Sequence, residues 1–80
     1  MTDKGMKVSA RNRLPGRVTG IKKDGIMAQV ELQVGDNQVI AVITAEAADE
    51  LGLKVGDEAV ALIKSTSVII VANDGNIGGL

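Results

Sequence analysis

The sequence predicts an all-β domain: five antiparallel strands closed into a small Greek-key barrel, with one short helix between strands 3 and 4. Three observations lead there. Ile26, Ala28, Val30, Leu32 and Val34 alternate without a break with Met27, Gln29, Glu31 and Gln33, the pattern of a strand with one buried and one wet face. A single helical stretch, Ala45–Leu51, lies between Thr44, a good N-cap, and Gly52, a good residue to follow a helix. Turn-bounded apolar segments precede and follow that helix, three before it and two after.

In chain order, Gly16–Lys22 reads as the first strand and Asp24-Gly25 as the turn into Ile26–Val34. Gly35-Asp36-Asn37 turns the chain into Val39–Thr44, the returning strand of a hairpin. The helix carries Glu46 in its first turn, where the dipole favours an anion. Seven residues make two turns, roughly 10 Å, too short to stand alone, so the helix must dock on the sheet. Lys54-Val55-Gly56-Asp57 is a further turn, and Glu58–Lys64 and Ser67–Ala72 read as the last two strands. Three strands, a helix and two strands is the order of an OB-like barrel. Closure would remove exposed edges from these apolar strands; a small open antiparallel sheet with one helix is the alternative. Residues 6–72 form the domain, and 73–80, with three glycines, are expected to form a flexible tail.

The chain has 80 residues and no Phe, Tyr or Trp, so its core must come from β-branched and small side chains. A core this size supplies only ~3–5 kcal/mol. With no cysteine, neither a disulfide nor a thiolate-held metal can add to it. Association with further copies is the remaining way to bury more apolar area. The net charge of −1 and the missing aromatics argue against a nucleic-acid binder. No apolar run approaches the ~18 residues of a membrane span, and Met1–Lys7 lacks the apolar stretch of a signal peptide, so a cytoplasmic location is expected. With no histidine and only scattered carboxylates, the sequence offers neither the usual general base nor a cation cage, and no enzyme activity is expected. Lys64 and Ser65 are neighbours, but adjacent strand residues face opposite sides and are badly placed to share a proton.

Two segments mix cations with small polar side chains: Ser9-Ala10-Arg11-Asn12 and Ile63-Lys64-Ser65-Thr66-Ser67. A doubly charged tetrahedral oxyanion needs such a set. Arg11 offers a planar fork of donors and Lys64 a compact charge. Ser9, Ser65 and Ser67 offer hydroxyls, Asn12 an amide, and Ala10 a backbone open to close approach. The start of the helix, Thr44 to Ala47, adds N–H groups, although Glu46 there disfavours an anion. Each residue also has a plain structural reading: Arg11 and Lys64 as solvated surface cations, Thr44 as a cap, and Ser65-Thr66-Ser67 as a strand entry. Lys22-Lys23 and Asp49-Glu50 read as solvated faces, and Gly78-Gly79 lacks the strand-loop-helix context of a phosphate loop.

Val8-Ser9-Ala10-Arg11-Asn12, followed by Leu14, Gly16 and Val18, resembles the opening of the Mop, or molbindin, family of TOBE-type molybdate-binding domains. The resemblance continues through Ala41-Val42-Ile43-Thr44, then Leu51-Gly52-Leu53 with Gly56, and ends in Ala61 to Ile69, spanning roughly residues 6–71. It implies an OB-like barrel that binds molybdate, and tungstate as well, with no organic cofactor. It also implies homohexamers, built as trimers of dimers, that hold anions at subunit interfaces. By position, Ser9 and Arg11 match family ligands, with Ala10 and Asn12 in the same loop, and Lys64 and Ser65 match a second pair, with Ser67 close by. Thr44 matches a ligand at the helix start. Ala47 departs from relatives that carry a hydroxyl there, which leaves its backbone N–H as the possible contact.

The expected function is therefore reversible molybdate binding for storage or homeostasis, with no nucleic-acid or membrane partner. The alternative is a molybdate-responsive module for contacts with another protein.

Overall fold

The computed structural model describes residues 7–72. Met6, the first residue of the expected domain, and the expected tail 73–80 lie outside the described residues. Four strands form one antiparallel sheet in the order β3-β2-β1-β4. They are β1 (Asn12–Asp24), β2 (Met27–Val34), β3 (Asn37–Thr44) and β4 (Glu58–Ile63), with α1 (Ala45–Leu51) between β3 and β4.

Both hairpin turns have two residues. Asp24 pairs with Met27, and Val34 with Asn37. Gly25 (φ 63°) and Gly35 (φ 58°) take the first turn position, a left-handed conformation that only glycine adopts cheaply. β1 is longer than the expected Gly16–Lys22 because its first half has a partner of its own: Asn12 through Arg17 pair with Ile63 back to Glu58, Pro15 included. Composition around Asn12-Arg13-Leu14-Pro15 does not signal a strand; the tertiary ladder imposes one.

Between Val18 and Gly20 the β1–β2 register slips by one residue, a bulge at Thr19. The slip re-phases the strand. Val18 faces inward opposite Leu32, and Ile21, three residues on, faces inward opposite Val30. Val18, Val30 and Leu32 are the buried centre, with Ile21, Val34, Val39, Ile43, Leu53, Ala59 and Ala61 packed around them.

The helix forms where expected. The Thr44 hydroxyl accepts from the Ala47 N–H at 3.0 Å, and Gly52 closes the other end with its N–H on the Ala48 and Asp49 carbonyls. Ala48 is the helix residue buried on the sheet, and Lys23 at the end of β1 pairs with Asp49.

The expected fifth strand, Ser67–Ala72, is not formed among the described residues. Ser65–Ser67 make one 3-10 turn, and residues 68–72 belong to no strand. Val68, Ile69, Ile70 and Val71 are exposed, Ile69 at 87%. A β-branched run specifies extended backbone but not a ladder partner, and this run meets none among the described residues. Among the described residues the barrel is therefore open. β3 and β4 end the sheet, and between them runs an apolar slot of about 590 Å³, lined among others by Val39, Ala41, Ile43, Ala59, Ala61 and Ile63.

Candidate oxyanion-binding site

The two polar segments are brought together by the β1–β4 ladder. Asn12 pairs with Ile63 at its end, so Arg11 precedes and Lys64 follows the same rung. From there the chain leaves the sheet in two branches, Ser9–Arg11 and Lys64–Ser67. Ala10 is buried at 7% and anchors the first branch, while Ser9 and Arg11 on either side are exposed. The second branch is shaped by the 3-10 turn, in which the Ser67 N–H donates to the Lys64 carbonyl at 2.9 Å. Lys64, Ser65 and Ser67 are all exposed.

Among the described residues, the side chains of Ser9, Arg11, Lys64, Ser65 and Ser67 hydrogen-bond to nothing. Asn12 differs: its Nδ2 donates to the Ile63 carbonyl at 3.1 Å. No acidic residue occurs between Lys7 and Lys23 or between Ala59 and Ala72. The branches thus offer two cations and four hydroxyls, Thr66 included, with no side-chain bond among the described residues and no carboxylate nearby in sequence. Such a set suits a ligand that only accepts hydrogen bonds and carries negative charge. It cannot hold a bare cation, and no group of three or more His, Cys, Asp or Glu able to do so occurs among the described residues.

Thr44 and Ala47 are not part of this cluster within one chain. Thr44 pairs with Met27, and Met27 with Asp24 at the far end of β1 from Asn12. At that end the donors are largely spent. The Ala45 N–H donates to the Ile26 carbonyl at 2.8 Å, and the Ala47 N–H goes to the Thr44 hydroxyl, which leaves the methyl-bearing Ala47 without a donor. Thr44 itself keeps its O–H proton, since the cap uses only the oxygen.

Sequence reading passed over Arg13. It lies one residue beyond Asn12 on β1, opposite Leu62, and is exposed. The signal was available: Arg11 and Arg13 are two apart, which is the strand period.

Residues 8–70 match the TOBE domain family. Molybdenum-pterin-binding protein 1 of Clostridium pasteurianum is 47% identical over 68 residues, covering 84% of this chain and all of that protein. The solved structure of MopII from Clostridium pasteurianum superposes with a TM-score of 0.77 at 43% identity, over 82% of this chain and all of that one. A molybdate-binding protein from Sporomusa ovata superposes with a TM-score of 0.81 at 33% identity, over 84% of this chain and all of that one.

Proposed function

The chain belongs to the TOBE domain family, and from that premise we propose that it binds molybdate reversibly for storage or homeostasis, without a chemical step. The observation that carries this reading is the pair of branches at the Asn12–Ile63 rung, where Arg11, Lys64, Ser9, Ser65 and Ser67 present donors unspent among the described residues. Arg11 and Lys64 supply charge, and the hydroxyls supply direction. A water-poor setting would strengthen each bond. Tungstate, of nearly the same size and charge, binds the same set. Sulfate is smaller and fills it less well. Phosphate carries a proton at neutral pH and meets no carboxylate among the branch side chains, whose hydroxyls are their only acceptors. The reading needs no organic cofactor and places the protein in the cytoplasm. No helix among the described residues is long and apolar enough to cross a membrane.

The site is proposed to lie between copies of the chain. Thr44 sits at the opposite end of β1 from the branches, so if its hydroxyl reaches a bound anion it reaches one held by another copy. The open slot between β3 and β4 and the exposed Val68–Val71 supply two complementary surfaces. The Val68–Val71 segment of a second copy would fill the slot and complete the barrel. A trimer of such dimers is the assembly proposed.

Calorimetric titration with sodium molybdate, with sulfate and phosphate as competitors, tests the reading. Saturable heat that the Lys64→Ala variant weakens by ~1.5–3 kcal/mol, with sulfate and phosphate failing to compete at equal concentration, is the expected result. No heat and no rise in melting temperature on adding molybdate would refute it.

A further inference from the structure

Asn12 stands where the two branches separate. Its pairing with Ile63 is the last rung of the β1–β4 ladder, and the last rung of a ladder is where opening starts. Here the opening has an added drive, because each branch carries a cation next to that rung and like charges repel. Of the four residues Ser9–Asn12, only Asn12 hydrogen-bonds through its side chain among the described residues. Nδ2 donates to the Ile63 carbonyl across 51 residues of sequence, in a half-buried setting. The bond also fixes the amide's orientation, since the Asn carbonyl oxygen could not pair with another carbonyl. An aspartate would present only acceptors to Ile63, and an alanine would present nothing.

We propose that Asn12 is a positioning residue of the oxyanion site: its amide ties the Arg11 branch to the Ile63 carbonyl and thereby sets the Lys64–Ser67 branch against Arg11. It clasps two cationic arms with a neutral bond, so it adds no charge of its own. The inference rests on the molybdate reading above.

The test is a double-mutant cycle read by molybdate titration, with Asn12→Ala, Lys64→Ala and the double variant beside the wild type. Removing a bond worth ~1 kcal/mol predicts about fivefold weaker binding for Asn12→Ala, with the melting temperature of the anion-free protein lowered by no more than ~4–8 °C. In the Lys64→Ala background the same substitution should cost less than twofold, because Asn12 acts through the arm that has already lost its charge. An undiminished penalty in that background would make Asn12 a direct ligand and overturn the proposal. So would wild-type affinity in Asn12→Ala, or a loss of affinity matched by a collapse in melting temperature. Should the wild type bind no molybdate, the oxyanion reading fails, and the clasp is judged separately by amide hydrogen exchange in the anion-free protein. Faster exchange in Asn12→Ala at the Ser67 amide, which donates to the Lys64 carbonyl, upholds it, and unchanged exchange overturns it.

Discussion

Gly16 and Gly20, four residues apart on β1, offer a controlled comparison of one substitution in two settings. A Cβ built on Gly16 would lie 2.5 Å from the Gln33 carbonyl oxygen and 2.9 Å from Val34 Cγ2. The nearer atom is backbone in a paired strand, so relief requires β1 and β2 to part by about half an ångström or more, a strain typical of overpacking at ~1–3 kcal/mol. A Cβ on Gly20 would lie 2.9 Å from Glu31 Oε1, but that atom ends a flexible side chain. Its carboxylate can swing away at the expense of a long 3.5 Å contact from Gln38 Nε2. Neither glycine has a positive φ, so alanine also gains ~0.4–1 kcal/mol from a stiffer unfolded chain at both sites. Gly16→Ala should therefore destabilise by about 1–2 kcal/mol and lower the melting temperature by roughly 5–15 °C, at ~4–8 °C per kcal/mol for a chain this size. Gly20→Ala should stay within ~0.5 kcal/mol of the wild type. With no aromatic residue the chain has no intrinsic fluorescence, so far-ultraviolet circular dichroism or calorimetry at matched protein concentration is the assay. Equal losses at the two positions would refute the reasoning, because backbone and side-chain neighbours would then yield alike.

Three further outcomes are expected. Thr44→Ala removes the oxygen that accepts from the Ala47 N–H and should cost about 1 kcal/mol of stability, which Thr44→Ser restores; chemical denaturation measures both. Lys23→Ala breaks the pair with Asp49, but the two side chains are 49% and 65% exposed, so the melting temperature should fall by no more than a degree or two. Ile69→Lys places a charge in the segment proposed to fill a second copy's slot and should shift sedimentation toward the monomer; an unchanged oligomer would remove Val68–Val71 from the interface.

Local pattern made the middle of the fold legible. The unbroken alternation over Ile26–Val34 yields β2 to within one residue, because a strand with one dry face writes that period directly. Thr44 and Gly52 bracket α1 because capping is a local transaction between a side chain and the nearest N–H groups. The ends of the fold obey distant partners instead. Asn12–Pro15 is a strand because β4 lies beside it, and Ser67–Ala72 is none because no strand among the described residues does. The polar segments were visible by residue type. Their shared rung was not, since it depends on a register fixed between residues 51 apart. The placement of Thr44 at the other end of β1 follows from topology and left no trace in its neighbours.

The bulge at Thr19 has a consequence for how this sequence tolerates gaps. Because Val18 aligns with Leu32 and Gly20 with Glu31, Thr19 is a supernumerary residue in the β1–β2 ladder. Its loss would leave every later residue of β1 on the face it already occupies. A one-residue deletion at Lys22 or Lys23 would either keep the bulge and turn the residues after it to the opposite face, or use the bulge up and turn Ile21 away from the core instead. The frame of β1 thus has one spare tooth, and single-residue gaps among related chains should collect there, while gaps nearby should be rare.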